Sequence, residues 1–269
     1  MATTNQDREI AISIAPPISL EVEYFNPITR TIMVSNVSSR RILIEDITLR
    51  FRSDVIEGPL DVKTQCGWGL EPNAVHELPI DIVPNALYRE GTNEFDVKVE
   101  YRPFDGSQIG DPDREIYTRP SFIIPRGPKT LLGNVFISLK QPEDLHLGRL
   151  MSKLARRAGL EPFLKDDHPR TGDDIWKATI EPALRSSEIC IVIWTEQTNW
   201  GAQGVEREID FCRGAGIPEA LFLEQSILAT PELYKLTTIE YTRFDQANPG
   251  PAFAMGIEML RHRLQNQPT

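Results

Sequence analysis

The chain has 269 residues, long enough for two domains of ordinary size, and carries 29 Lys+Arg against 39 Asp+Glu, a formal net charge of -10. That balance argues against non-specific nucleic-acid binding, which rests on neutralising phosphates, and against adhesion to an anionic membrane surface. No apolar run approaches the roughly 18 residues of a membrane span, the segment from Met1 to Glu9 has no apolar signal core, and Cys66, Cys190 and Cys212 form neither a disulfide framework nor a zinc pattern. The expectation is a soluble, reduced, cytoplasmic protein with no metal and no nucleic-acid or membrane partner.

Residues 1–126 alternate with period two. The runs from Arg8 to Ile14, Ser19 to Tyr24, Ile44 to Phe51, His76 to Val83 and Glu94 to Tyr101 each place one face on a core and one in water. Turn clusters separate them, among them Pro16-Pro17, Asn26-Pro27 and the segment from Glu90 to Asn93. No helical period intervenes, which predicts an all-β, antiparallel, immunoglobulin-like sandwich. Trp68 is expected in its core or at a turn. A short, stiff linker from Pro125 to Thr130 follows, with two prolines and a glycine.

Residues 131–269 follow a different pattern. The segment from Leu132 to Leu139 reads as an apolar strand, and Leu147, Leu150, Met151, Leu154 and Ala158 then recur at helical spacing until Gly159. A second strand, from Leu160 to Lys165, leads into the polar loop from Asp166 to Gly172. Asp173 and Asp174 mark a helix start, and Pro182 should kink or split that helix. The runs from Ile189 to Thr195, Ala220 to Leu223 and Thr238 to Tyr241 give three more strands, and a helix from Pro251 to Leu264 ends the chain. Strands alternating with helices predict a doubly wound α/β domain with a five-stranded parallel sheet. Such sheets bind ligands past the carboxyl ends of their strands. There is no Gly-rich phosphate loop, which argues against a Rossmann dehydrogenase.

One stretch lies at that crevice. After the strand beginning at Cys190 come a loop with Trp200 and a helix with Glu206 and Glu208. At about 100° per residue, Val205, Ile209 and Cys212 share a narrow arc that must be buried, with Glu206 and Asp210 roughly opposite. Glu208 falls on the flank of the apolar arc, so its carboxylate should be partly desolvated and needs a partner. The residues alone leave open a ligand or a salt bridge to Arg149 or Arg207. Trp200 either covers a ligand or packs its loop onto the sheet. Ser138, near the carboxyl end of the first strand, can donate a hydrogen bond to a ligand. Phe136, two residues earlier, reads as ligand contact or core, and Lys140 as a phosphate contact or a solvated surface residue.

The second half, over residues 132–266, resembles a Toll/interleukin-1 receptor (TIR) domain. The opening strand Val135-Phe-Ile-Ser138 is similar to the family's first box. The loop Asp166-Asp-His-Pro-Arg-Thr-Gly172 resembles its BB loop, and the run from Ala183 to Ser187 ahead of Ile189 resembles the approach to its third strand. Trp200 with Glu208 resembles the box in which a tryptophan precedes a glutamate-bearing helix, although the spacing is longer and Asn199 stands where serine is frequent. The resemblance implies a flavodoxin-like fold and, for members that are enzymes, cleavage of the nicotinamide–ribose bond of NAD+, with hydrolysis or cyclisation of the ADP-ribose. It implies Glu208 as the catalytic residue, NAD+ as substrate rather than cofactor, and Asp166, Asp167, Arg170 and Trp200 beside Phe136, Ser138 and Lys140 as substrate contacts. It further implies a homo-oligomer assembled through TIR domains in a defence role, with the sandwich sensing, docking or oligomerising. Other readings are a non-catalytic TIR adaptor or decoy and a nucleoside deoxyribosyltransferase-like enzyme.

Overall fold

The computed structural model describes residues 9–15, 20–56, 58–104, 113–125, 131–165, 175–199, 203–227 and 238–266. The chain divides into two compact units: Met1–Pro84 with Tyr88–Arg126, and Asn85–Leu87 with Gly127–Thr269. No helix among the described residues is long and apolar enough to cross a membrane.

The first unit is all-β. Its strands are β1 (Ile10–Ala15), β2 (Leu20–Glu21), β3 (Ile28–Asn36), β4 (Ile42–Arg52), β5 (Pro59–Leu70), β6 (Val75–Ile82), β7 (Gly91–Pro103) and β8 (Asp113–Ile124). They form a three-stranded sheet, β1-β3-β6, and a five-stranded sheet, β2-β8-β7-β4-β5. Every pairing is antiparallel except the short β2–β8 contact, which is parallel and departs from the all-antiparallel expectation. One core takes Ile10, Ile32 and Ile80 from the first sheet and Ile47, Leu49, Val97 and Val99 from the second. In β4 the buried positions change phase, from Ile42 and Ile44 to Ile47, Leu49 and Phe51, at a register shift between Ile44 and Asp46. One extra residue in a strand flips every later side chain, and the bulge restores the apolar ones to the core.

The second unit is α/β. It contains β9 (Gly133–Ser138), α1 (Leu145–Arg157), β10 (Leu160–Leu164), a π-helical turn (Trp176–Ile180) running into α2 (Glu181–Arg185), β11 (Ile189–Trp194), α3 (Glu196–Asn199), α4 (Gln203–Ala215), β12 (Glu219–Glu224), β13 (Thr238–Phe244) and α5 (Gly250–Gln265). The five strands are all parallel, in the order β10-β9-β11-β12-β13. Sheets of this kind are covered on both faces, which is why β11 and β12 are buried at every residue. On one face lie Phe136, Cys190, Val192, Trp194, Leu221 and Leu223, packed with Val205, Ile209 and Cys212 of α4 and Leu184 of α2. On the other, α1 rests on β9 and β10 and touches α5.

Local chemistry explains the breaks. Gly159 follows α1 at φ 81°, a left-handed conformation that glycine adopts without strain. Pro182 lacks an N–H and its ring would crowd the carbonyl four residues back. Immediately upstream the helix widens, with the Glu181 N–H bonded to Trp176 O in the i→i−5 pattern of a π turn. The helix foreseen across residues 173–187 is therefore two helical forms over residues 175–185; Asp173 and Asp174 lie outside the described residues.

Gly256 lets α5 approach the sheet. A Cβ there would stand 2.4 Å from Cε1 and 2.5 Å from Cζ of Phe222, a fully buried ring packed edge-on against Phe253. Gly256→Ala should lower stability by about 1–3 kcal/mol through overpacking. At Gly214 in α4 a Cβ meets nothing within 4 Å, so Gly214→Ala should raise stability by roughly 0.5–1 kcal/mol through helix propensity. Denaturant midpoints of the two variants, expected to move in opposite directions, check the packing.

Candidate functional site

The order of the parallel sheet reverses at β9, which has β10 on one side and β11 on the other. The carboxyl ends of strands beside such a reversal open into the crevice where ligands bind. Ser138 ends β9, level with Val192 of β11, and Lys165 follows directly after β10. The helix α4, coming after β11, leans its buried stripe of Val205, Glu208, Ile209 and Cys212 against this edge, while Glu206 and Asp210 are exposed. The helical arc inferred from sequence and the observed burial agree on which glutamate faces inward.

Glu208 is 7% exposed. Its Oε2 accepts a hydrogen bond from the Ser138 hydroxyl at 2.5 Å. Among the described residues its Oε1 accepts none, leaving that oxygen for the cleft that the carboxylate lines. Burial drives its pKa up from 4.5 to about 7, against the opposing pull of the Ser138 hydrogen bond and the positive charge of Lys165. Among the described residues Glu208 forms no salt bridge with Arg149 or Arg207; the Arg207 guanidinium lies over the Trp176 ring, 4.1 Å from its centroid.

The cleft has a volume of about 170 Å³ and is lined by Lys140, Gln141, Lys165, Gly204 and Glu208, together with Ile137, Leu139 and Val205. Two cations and one carboxylate thus face one small space. The Lys140 ammonium donates to the Gln197 carbonyl at 2.8 Å, which fastens it toward the loop after β11 and occupies one of its three donors.

A second polar cluster pins the same loop. Asp144, 1% exposed, accepts a 2.6 Å hydrogen bond from the Thr195 hydroxyl, and burial raises its pKa. Thr195 also meets Thr198, at 3.3 Å between hydroxyls. Glu224, at the end of β12, accepts from the Glu196 N–H and the Ser226 hydroxyl, each at 2.9 Å. The start of the β11–α4 connection is therefore held from both neighbouring strand ends.

Of the residues singled out in the sequence, Ser138, Lys140 and Glu208 come together at the cleft. Phe136 does not: it is 1% exposed and stacked on Phe163 in the core, one pleat beneath Ser138 on the same face. Of its two readings from sequence, ligand contact or core, the burial matches core. Asp166, Asp167, Arg170 and Trp200 lie outside the described residues. Lys165 was missed, read only as the end of a strand. The parallel register carries the signal, since Leu164 pairs with Ile137 and Lys165 therefore stands beside Ser138. Asp144 was missed as well: it reads as a helix start, yet its side chain serves Thr195 instead of capping α1.

Cys190 and Cys212 are buried and free, and their mutual contact, with burial, pushes the Cys190 thiol well above its ordinary range. Among the described residues no group of three or more His, Cys, Asp or Glu is arranged to hold a metal.

No protein-family model matches the chain, and no curated protein matches it. Similar solved structures include the structural-genomics target SoR45, at 11% identity and TM-score 0.34, covering 44% of this chain and 88% of that one. A PapD-like domain of human CEP192 is similar at 9% identity and TM-score 0.28, covering 47% and 96%. Spo0M, a sporulation control protein of Bacillus subtilis, is similar at 12% identity and TM-score 0.28, covering 44% and 49%. Likenesses this remote carry no argument about either unit.

The buried carboxylate has a consequence for stability. Its proton is held more tightly in the folded chain than in the unfolded one, so its contribution is fully present below about pH 4.5 and is lost as pH rises through about 7. The loss is on the order of 3 kcal/mol once the group is ionised. Glu208→Gln should therefore unfold at a higher urea midpoint than the parent protein at pH 8 and at nearly the same midpoint at pH 4.5. Equal midpoints at both values would show that the carboxylate is not desolvated.

Proposed function

We propose that the second unit is a TIR-type, flavodoxin-like hydrolase that cleaves the nicotinamide–ribose bond of NAD+, with Glu208 as its catalytic residue. The observation that carries this reading is a nearly buried carboxylate, held by Ser138 and lining a cleft at the strand-order reversal of a parallel sheet. The strand order second-first-third-fourth-fifth is the flavodoxin-like one.

The chemistry suits a single carboxylate. As the C1′–N bond breaks, its electron pair stays on the pyridine nitrogen, which leaves as neutral nicotinamide and needs no acid. Positive charge builds on the ribose as an oxocarbenium ion. Ionised Glu208, fixed by Ser138 and shielded from water, stabilises that charge from a preorganised position, and its Oε1, which accepts no hydrogen bond among the described residues, can accept a ribose hydroxyl. Water then adds to C1′ and releases a proton to solvent; attack by a group of the ADP-ribose itself gives the cyclic product instead.

The first unit reads as an immunoglobulin-like sandwich, supported by β1-β3-β6 in one sheet and β8-β7-β4-β5 in the other. We assign it sensing, docking or oligomerisation, with TIR self-assembly switching on the hydrolase in a cytoplasmic defence role.

The test is nicotinamide release from NAD+ by concentrated, demonstrably assembled protein. Glu208→Ala should lower turnover roughly 10²- to 10³-fold. An adaptor that acts only by assembly would release no nicotinamide and would be indifferent to that change. Because the ionised carboxylate is the working form, kcat/KM should climb with pH and level off above about 7. Ser138→Ala removes a hydrogen bond that favours ionisation and should move that rise to higher pH.

A further inference from the structure

We propose that Lys165, together with Lys140, forms an anion subsite that reads the 5′-phosphate of the ribose held at Glu208, so that the cleft selects phosphorylated pyridine nucleosides over the bare riboside. The inference deepens the hydrolase reading and rests on it for the identity of the ribose.

The chain as a whole is acidic, with a net charge of -10. Yet among the described residues the charged side chains lining the cleft are two lysines and one carboxylate. The carboxylate is already engaged on one side by Ser138. Lys165 lies close enough to Glu208 to lower its pKa, which places its charge at the cleft. Lys140 also lines the cleft, and among the described residues it spends one of its three donors, on the Gln197 carbonyl. The backbone of Gly204, in the first turn of the 13-residue α4, lines the same space and adds the positive end of the helix dipole.

Size points the same way. About 170 Å³ is well below the roughly 300–1,000 Å³ of a site for a whole drug-sized ligand. It suits one sugar and its immediate substituents. On a ribosyl 5′-phosphate, the anomeric carbon and the phosphate sit on opposite sides of one small ring. A carboxylate and an ammonium that line one small cleft supply a partner for each, the developing cation and the fixed anion. Both a mononucleotide and a dinucleotide present this group, whereas nicotinamide riboside does not. The cation at this position thus acts on substrate choice, separately from the stabilising role of Glu208.

The test has a catalytic and a binding arm. In the first, the parent protein is given nicotinamide mononucleotide, NAD+ and nicotinamide riboside. It should cleave both phosphorylated compounds in preference to the riboside. Lys165→Met should reduce that preference roughly ten- to hundredfold, the worth of one charge-assisted hydrogen bond, mainly through KM. Lys165→Arg, which keeps the charge, should retain it. Cleavage of the riboside as efficient as that of the mononucleotide, or a Lys165→Met variant with the preference intact, overturns the proposal while leaving the hydrolase reading standing. In the second arm, ribose 5-phosphate is titrated into the parent protein and the Lys165→Met variant by calorimetry. Binding that is lost in the variant supports the subsite even if no nicotinamide is released from any compound, an outcome that rejects the hydrolase reading alone. Failure of ribose 5-phosphate to bind the parent protein overturns the subsite.

Discussion

A parallel sheet covered by helices on both faces has one place to present polar chemistry, the edge where its strands end. Everything at the candidate site follows from that constraint. Cys190 to Trp194 are buried without exception, so the strand itself can carry no working group. Polarity begins one residue later, with Thr195 and, level with it at the end of β12, Glu224; on the other side Ser138 ends β9 at the level of Val192, with Lys165 just after β10. Glu208 reaches the same level from α4. Its carboxylate can lie there only because Ser138 supplies a donor and Lys165 a compensating charge, since an unpaired buried carboxylate would simply take up a proton. The pKa near 7 places Glu208 between those limits, desolvated enough to act strongly and still ionisable near neutrality.

The stability held at the edge is uneven. Below it, Phe136, Cys190, Val192 and Leu221 form a close apolar layer with α4. At the edge, interior carboxylates are held by donors: Asp144, its pKa raised by burial, accepts from Thr195, and Glu224 accepts from a backbone N–H and a hydroxyl. These contacts contribute little net free energy, because each replaces a bond to water. Their consequence is geometric. They fix the first residues of the β11–α4 connection against β12 and the start of α1, and Lys140 ties in from β9 through Gln197. Glu208 itself is fixed by the Ser138 hydroxyl, which bonds one of its two oxygens.

How far the sequence discloses this depends on periodicity. The 3.6-residue period of α4 separates Glu208 from Glu206, because burial follows rotation about an axis and nothing else is needed. The apolar runs of β9 and β11 are legible for the same reason. Three strands of the first unit were not read, and each has a reason. In β3 the inward series Ile28, Arg30, Ile32, Val34 is interrupted by a charged residue that is nevertheless buried. The edge strand β5 does alternate, with Leu60, Cys66, Trp68 and Leu70 turned to the core, but most of it is exposed and Gly67 and Gly69 break the strand signal. In β8, Pro120 interrupts the run. Lys165 and Asp144 were missed for a different reason: their roles arise between strands, and a period along one segment is blind to register across segments.

Register also explains why the site is small in sequence terms and yet assembled from distant parts. Ser138 and Glu208 are 70 residues apart, and Asp144 and Thr195 are 51 apart. In a doubly wound sheet every strand end is delivered to the same edge by its own crossover, so residues far apart in sequence meet there with no loop of unusual length. The direction of the twist and the parallel pairing decide which meet. Ile137 lies beside Leu164 and Ile191, which leaves Ser138, Lys165 and Val192 as the next layer outward. A hydroxyl from the end of β9 and an ammonium from just after β10 are therefore brought to the cleft that Glu208 lines. The cleft's two-sided character, cationic toward β10 and carboxylate toward α4, is a property of the sheet order before it is a property of any loop.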